Sequence, residues 1–385
     1  MEIAGIYKII IATILTIAVV ISIVYLNSQK AERNSGADAI TVTPRITDES
    51  AVEEAIPQTE ITATPLKKLF SAKSKSEQYE LAKEITTPDG FINTDGHPIT
   101  IGEYIGKKVI LVDFWTYSCI NCQRTTPYLN AWYEKYKDDG FVIVGIHTPE
   151  FEFEKVYQNV LDATKKEGIK YPVILDNDFS TWAAYQNRFW PRKYLIDIDG
   201  YIVYDHIGEG AYEETERKIQ SALKERTKVL GMADAVPGGV ASPSKVTVVS
   251  GRVGSPESYF GSSRNEYLGN GARNTTGTQQ LSTTATTYAN LIYLDGIWNF
   301  TNEYVQSMSA GGKITYKYSA KNVYLVASAE TPVEITILID GKVSGRQIIK
   351  ENVLYTIVEG ADYGDHTLEI ITDAPGLMAY AFTFG

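Results

Sequence analysis

In the middle of the chain, hydrophobic residues form short continuous runs in some segments and recur with helical spacing in others. Short runs of Ile, Val, Leu and Phe have the length of buried strands, and amphipathic stretches follow the first two runs. The predicted strands are residues 108–115, 141–147 and 173–175, and the predicted helices are residues 125–137 and 152–167. Parallel strands need crossovers of this kind, so the pattern predicts an α/β domain with a mixed central sheet flanked by helices.

Further predicted elements precede and follow these strands and helices. With them, the predicted α/β domain extends over residues 77–227. Turn residues at 93–96 indicate a short hairpin, and Asp199-Gly200 indicates a second, antiparallel hairpin. These elements are a hairpin at residues 91–100, a short helix at 179–187, strands at 193–197 and 201–207, and a closing helix at 212–225.

Helical periodicity disappears in residues 248–385, where alternating runs are separated by turn signals such as Asp340-Gly341. Many short strands at this spacing predict an all-β sandwich. Trp298 and Phe300 alternate on one predicted strand and are expected to face its core. The predicted strands are residues 313–318, 323–327, 333–339, 354–358, 367–371 and 378–384.

The N-terminal region contains residues 9–26, an uncharged apolar run that would span about 27 Å as a helix. A secretory signal is the alternative, but no small-x-small cleavage site follows closely, so we interpret residues 1–27 as one uncleaved transmembrane anchor, with the rest of the chain outside the cytoplasm. Residues 28–76 are rich in Ala, Thr, Glu, Ser and Pro without periodicity, which predicts a disordered tether. Residues 228–247 have the composition of an inter-domain linker.

Composition narrows the classes of function. With 47 acidic and 36 basic residues, the chain carries a net charge of −11, which argues against nucleic-acid binding. An apolar content of 44% is ordinary for globular domains and is sufficient for sizeable cores.

The only two cysteines, Cys119 and Cys122, stand in C-x-x-C spacing between a predicted buried strand and a predicted helix. This is a redox arrangement, because the helix N-terminus favours thiolate over thiol, and the thiolate is the attacking species. We expect Cys119 to be the exposed nucleophile and Cys122 to be the partly buried resolving thiol.

A zinc site and a structural disulfide are the two alternatives to a redox role for this pair. A zinc site would need further ligands, but His97, His147, His206 and His366 are scattered singly. A structural disulfide would close a very small loop and stabilise the fold little. No cofactor or metal is expected.

The residues around the dithiol resemble the thioredoxin fold, in particular its membrane-tethered TlpA-like branch. Asp113 lies six residues before Cys119, where thioredoxins keep a buried Asp, and Pro127 lies five residues after Cys122. The resemblance implies a cis peptide bond between Trp190 and Pro191, with Pro172 as the rival position.

Longer motifs are similar to those of DipZ-type proteins. They are Trp115–Thr125 (WTYSCINCQRT), His147–Phe151 (HTPEF), Ser255–Gly261 (SPESYFG) and the C-terminal YAFTFG. The resemblance implies a carbohydrate-binding-module-like jelly roll at residues 248–385, with a carbohydrate ligand. Such proteins usually begin with a polytopic CcdA-like module, whereas this chain has a single predicted span. Its electron donor would then be a separate CcdA-like membrane protein. The segment with Tyr259 is a candidate inter-domain contact.

The resemblance assigns roles to further residues. Asp113 is the candidate general base for Cys122, and Pro191, Trp190 and Trp115 are candidates for substrate binding. Trp190 could pack against bound peptide or against the core. His147 and Glu150 follow a strand that ends on the dithiol edge of the sheet, where they could tune the thiols. For His147 a structural role competes with this one.

The function expected from these residues is that of a membrane-anchored, extracytoplasmic thiol–disulfide oxidoreductase that acts on exported proteins. One alternative is a redoxin-type thiol peroxidase, because Thr116 lies three residues before Cys119, although Val112 stands where peroxidases place a proline. The other alternative is a non-enzymatic envelope protein that binds carbohydrate.

Overall fold

The computed structural model describes residues 74–233, 235–243, 253–283 and 286–385. The predicted transmembrane anchor and most of the predicted tether lie outside these residues. Among the described helices, none is both long enough and apolar enough to cross a membrane.

The N-terminal part of the described chain is an α/β domain built on a six-stranded sheet. Its helices are α1 (Lys75–Gln78), α2 (Ile120–Tyr136), α3 (Tyr157–Lys166), α4 (Ser180–Ala184) and α5 (Tyr212–Val229). Its strands are β1 (Gly90–Ile92), β2 (Val109–Trp115), β3 (Phe141–His147), β4 (Val173–Leu175), β5 (Arg192–Ile196) and β6 (Ile202–Ile207). Short 3-10 helices occupy Lys137–Asp139 and Glu152–Lys155.

The sheet has the order β1-β4-β3-β2-β5-β6, with β2 and β3 in the middle. Strands β2, β3 and β4 are mutually parallel, whereas β1, β5 and β6 run antiparallel to their neighbours. This confirms the predicted mixed sheet. Every residue of β2 is buried, and its alternate side chains enter hydrophobic clusters on the two faces of the sheet. The end of β2 is therefore a firm base for the turn that follows it.

The predicted hairpin at residues 91–100 is wrong. A turn does follow β1, with positive φ at Asn93, Asp95 and Gly96, but β1 pairs with β4 instead of with a returning strand. The Asn93 side chain explains the difference, because its Nδ2 donates to the carbonyl oxygens of Ile169 and Tyr171 at 3.0 and 3.1 Å. These bonds hold the turn against the loop that leads into β4.

The C-terminal part is all β, as predicted. Its strands are β7 (Ser258–Tyr259), β8 (Gly277–Leu281), β9 (Ile292–Phe300), β10 (Val305–Ser307), β11 (Lys313–Ser328), β12 (Val333–Ile339), β13 (Lys342–Ile349), β14 (Val353–Thr372) and β15 (Met378–Phe384). Four predicted strands merge into β11 and β14, which stay paired past two register shifts near Asn322. Trp298 and Phe300 lie in the core.

Hydrogen bonds connect these strands into one curved sheet instead of two separate ones. Strand β11 pairs with β9 through its first half and with β15 through its second half, and β10 bridges β9 and β15. The sheet therefore wraps round a single hydrophobic core. Strand β7 pairs with β15, which brings the segment around Tyr259 to the side of the α/β domain.

Part of the predicted linker packs on the α/β domain. Val236 and Ala241 contact its hydrophobic core, and the Ala241 amide donates to Glu216 Oε2 at 2.6 Å. Lys135 Nζ donates to the Gly239 carbonyl at 2.9 Å. These contacts fix residues 235–243 along the helices α2 and α5.

Candidate active site

Cys119 occupies the start of helix α2. It is the N-cap residue, with extended backbone angles of φ −80° and ψ 119°, and Ile120 is the first helical residue. The Cys119 sulfur is partly exposed, whereas Cys122 is only 2% exposed. Both thiols are free. Burial, followed by the neighbouring Cys119, raises the pKa of Cys122 well above its usual value. One sulfur is thus accessible at a helix N-terminus and the other is withdrawn behind it.

The loop before β5 closes over the accessible sulfur. The bond between Trp190 and Pro191 is cis, whereas that before Pro172 is not. Cys119 Sγ lies 4.0 Å from the Trp190 carbonyl oxygen. The Trp190 ring packs on Trp182 at 4.4 Å, and it also lines the cleft in front of Cys119. The Trp190 ring therefore packs on a neighbouring aromatic ring and also faces the cleft.

Asp113 lies inside the sheet on β2, on the face that also carries Cys122. Its Oδ1 has no hydrogen-bond partner among the described residues. Burial raises the pKa of Asp113 to about 7, and the positive charge of Lys193 opposes this rise. A carboxyl group with this pKa exchanges protons readily near neutral pH.

Lys193 is a site residue that the sequence reasoning missed. It lies on β5 directly opposite Asp113, it is fully buried, and its Nζ donates to the Gly208 carbonyl at 3.0 Å. Burial lowers the pKa of Lys193, and the negative charge of Asp113 opposes that change. The available signal is that Lys193 and Leu195 alternate on a predicted strand and so share one face of the sheet, where a lysine is costly without a nearby anion.

Glu154 is a second missed residue, and it supports the turn that carries Cys119. Its Oε1 accepts from the Ser118 hydroxyl at 2.7 Å and from the Ser118 amide at 3.2 Å. Its Oε2 accepts from the amides of Glu150 and Phe151 at 2.6 and 3.1 Å. The buried carboxylate therefore joins the dithiol turn to the loop after β3. Burial raises the pKa of Glu154.

Two predicted site residues point into the core instead of the cleft. Trp115, expected to bind substrate, is only 3% exposed, and its ring meets the edge of His147 at 5.0 Å. It therefore has no surface to offer a substrate. His147 is buried and stacks on Tyr117 at 5.7 Å. Burial lowers the pKa of His147 to about 3, so the ring stays neutral at physiological pH. Both observations favour the structural role for His147.

Glu150 lines the cleft and contacts the C-terminal domain. Its Oε1 accepts from the Tyr259 hydroxyl at 2.8 Å and from Arg264 Nη1 at 3.0 Å. The expected inter-domain contact at Tyr259 is thus confirmed. The cleft has a volume of about 520 Å³, and residues of both domains form its walls around Cys119.

One set of three carboxylates in the described part of the chain has the spacing of a cation site. It consists of Asp197, Asp199 and Glu225. Lys75 Nζ lies 2.6, 2.7 and 2.6 Å from their oxygens, respectively, so a side-chain ammonium already satisfies the set. These ion pairs hold α1 against the turn after β5 and against helix α5 within the α/β domain.

Comparisons with known proteins match both domains. A family model described as Redoxin matches residues 77–223, and one described as thioredoxin like C-terminal domain matches residues 255–385. Protein DipZ of Mycobacterium tuberculosis and of Mycobacterium bovis is 36% identical over 310 residues, which are 78% of this chain and 43% of each relative. The chain therefore spans less than half the length of these relatives.

A shorter relative matches the α/β domain alone. Thiol-disulfide oxidoreductase ResA of Bacillus cereus is 31% identical over 149 residues, which are 38% of this chain and 81% of that protein. Among solved structures, a thiol:disulfide interchange protein of the thioredoxin family from Chlorobium tepidum covers 38% of this chain and 97% of its own, with 23% identity and a TM-score of 0.32.

Proposed function

This chain belongs to the DipZ-type, TlpA-like branch of the thioredoxin family, and from that premise we propose that it is a thiol–disulfide oxidoreductase. It is anchored in the cell membrane by residues 1–27, with both folded domains outside the cytoplasm. The observation that carries the activity is the asymmetry of the dithiol. Cys119 is accessible at a helix N-terminus beside cis-Pro191, and Cys122 is buried behind it.

The reaction proceeds through two exchanges. The Cys119 thiolate attacks one sulfur of a substrate disulfide, so a mixed disulfide forms and the other substrate sulfur leaves as a thiolate. Cys122 then loses its proton and attacks Cys119, which releases the second substrate thiol and leaves a Cys119–Cys122 disulfide. The same steps in reverse oxidise a substrate dithiol.

Proton removal from Cys122 is the step that needs assistance, because burial raises the pKa of this thiol. Asp113 is the base: it lies on the same face of the sheet, and its pKa of about 7 provides a proton acceptor near neutral pH. Lys193 is a positioning residue, because its charge acts on Asp113 and not on the substrate.

The proposed substrates are disulfide-containing exported proteins, and a CcdA-like membrane protein would supply electrons. A carbohydrate ligand for the C-terminal domain rests on resemblance alone, since Trp298 and Phe300 are buried and offer no stacking surface. Protease digestion of intact cells tests the orientation. Cleavage of residues 74–385 is expected, and full protection would contradict it.

Insulin-disulfide reduction and peroxide consumption, measured side by side on the full chain with dithiothreitol as electron donor, test the activity. Disulfide reduction that is lost in Cys119→Ser supports the proposal. Peroxide consumption without disulfide reduction would instead indicate the peroxidase, and neither activity would indicate the non-enzymatic alternative.

A further inference from the structure

The cleft in front of Cys119 has one wall from each domain. The α/β domain supplies the wall that carries the sulfur, and the C-terminal domain supplies the opposite one. The facing groups are Arg188, Phe189 and Trp190 on the first wall and Glu257, Tyr259 and Arg264 on the second. A volume of about 520 Å³ is in the range of sites that enclose a small ligand or a few residues of a chain.

The second wall is held in place by a charge-assisted network. The Arg264 guanidinium lies 3.5 Å from the centre of the Tyr259 ring, and both side chains bond Glu150 Oε1. Glu150 is largely buried, so water screens this ion pair weakly. Hydrogen bonds to an ionised group are stronger than neutral ones. Tyr259 therefore has a fixed position across the cleft from the dithiol.

Two further contacts keep the domains together. The Tyr380 ring packs on Phe151 at 5.2 Å and on Phe153 at 4.9 Å. Arg124, which belongs to the dithiol helix α2, donates to the Tyr324 hydroxyl at 3.3 Å and is almost entirely buried. The dithiol helix is thus fastened to the C-terminal domain, and the width of the cleft is set by packed side chains.

The surfaces that face into the cleft suit a narrow polar chain. Phe189 is 47% exposed and offers apolar area on the first wall. Arg188 on the first wall is exposed. Glu257 on the second wall also reaches solvent, but desolvation and the nearby Glu150 raise the pKa of its carboxyl group to about 7, so it carries its negative charge mainly above that pH. A peptide in the cleft can therefore contact an apolar side chain, a positively charged side chain and a negatively charged side chain.

We propose that the C-terminal domain is the substrate-selecting half of the active site, and that the cleft admits a disulfide carried on a single extended peptide segment. This inference rests on the proposed oxidoreductase function and names its substrate class. Attack requires a substrate sulfur to reach Cys119 Sγ, and the wall of Tyr259 and Arg264 obstructs a disulfide that lies on the surface of a folded domain. Selection by obstruction of the wrong partner is a general means of specificity.

The chemical balance follows the two exchanges described above. Two electrons pass from the Cys119–Cys122 dithiol to the peptide disulfide, which becomes two thiols, and the enzyme is left with a disulfide. An external dithiol must then reduce that disulfide, and dithiothreitol serves this purpose in the assay.

Two substrates, presented to the full chain with dithiothreitol, test the selection. One is an unstructured peptide pair joined by a single disulfide, and the other is a folded protein with one solvent-exposed disulfide, each corrected for its direct reaction with dithiothreitol. We expect kcat/KM to be at least tenfold higher for the peptide. Equal values would overturn the selection while leaving the oxidoreductase function intact, and activity on neither substrate would defeat both.

Truncating the side chains of the second wall tests whether they select between the two substrates. Tyr259→Ala combined with Arg264→Ala is expected to bring the two kcat/KM values severalfold closer, mainly because the value for the folded protein rises. Arg346→Ala is the matched control, because Arg346 is an exposed, ion-paired arginine of β13. An unchanged ratio in the double variant would contradict the role of this wall.

Glu257→Gln, assayed at pH 8 where the native carboxyl group is ionised, removes this charge without placing a new cation beside the Glu150–Arg264 pair. It should raise KM severalfold for peptides with lysine beside the cystine and lower KM for peptides with glutamate there, with little change in kcat. Identical KM values for both peptides in both proteins would show that Glu257 does not contact the substrate, and would count against the proposed cleft.

Discussion

Asp113 and Lys193 face each other from neighbouring antiparallel strands, and their side chains are 1% and 0% exposed. Each charge favours ionisation of the other, while burial opposes ionisation of both. The carboxyl group that would accept the Cys122 proton is therefore controlled by a lysine that never reaches solvent. Two predictions come directly from this pair.

Replacing Asp113 with Asn should slow the resolution step about a hundredfold or more, within the range typical of general bases. The carboxylate is the active form, and the pKa of Asp113 is about 7. The resolution rate of the native protein should therefore rise with pH through about 7, and the variant should lack this rise. Stopped-flow decay of a preformed mixed disulfide measures the rate. Unchanged kinetics in a folded variant would refute the role of Asp113.

Replacing Lys193 with Met removes the charge that lowers the pKa of Asp113. The midpoint of the pH–rate profile should move to higher pH by roughly one to three units, the usual effect of a nearby opposite charge. Lys193→Gln also removes the charge but keeps a donor for the Gly208 carbonyl. It should give the same shift with a smaller loss of stability. A profile that does not move in either variant would show that Lys193 is only structural.

Replacing Glu154 with Gln places an amide NH₂ group where one carboxylate oxygen now accepts two backbone N–H bonds. We expect a loss of about 1–3 kcal/mol in the free energy of unfolding, typical of buried donors left without a partner. Denaturant unfolding measures this loss. Glu152→Gln is the control, since Glu152 is exposed and its ion pair with Lys155 lies at the surface. Equal effects of the two variants would contradict the account of Glu154.

Replacing Tyr380 with Ala removes the ring that packs on Phe151 and Phe153 between the domains. The expected cost is about 3 kcal/mol, near the low end for loss of a buried aromatic side chain. We expect calorimetry to show one transition for the native chain, because packed side chains join its domains, and two transitions for the variant. Tyr288→Ala, at a residue that is 66% exposed, should leave the transition single. An unsplit transition in Tyr380→Ala would indicate that other contacts hold the domains together.

The α/β domain was largely predictable because its signals are local. The buried strand β2 and the dithiol spacing are visible in consecutive residues, and alternating apolar positions were sufficient to expect the all-β domain. The start of α2 was less visible. The predicted helix began at residue 125, whereas the observed helix begins at Ile120, because the polar residues around Cys122 weaken the amphipathic signal although the chain is already helical there.

The missed residues depend on partners that are distant in sequence. Lys193 lies opposite Asp113, which is 80 positions earlier, and Glu154 accepts a hydrogen bond from Ser118. Neither residue forms a local sequence motif with its partner. The wrong hairpin has the same origin, since β1 pairs with β4 across an intervening crossover. The position of Tyr259 in the cleft could not be predicted from the sequence, because it depends on how the two domains pack against each other.

Cys119 is proposed as the attacking sulfur and Cys122 as the resolving sulfur, and trapping the mixed disulfide shows which of the two reacts first. The full chain with Cys122→Ser is incubated with a disulfide peptide, and mass spectrometry locates the adduct. We expect a stable adduct at residue 119, and none when Cys119→Ser is treated in the same way. An adduct on Cys122 in the Cys119→Ser protein, or none in either variant, would contradict this assignment.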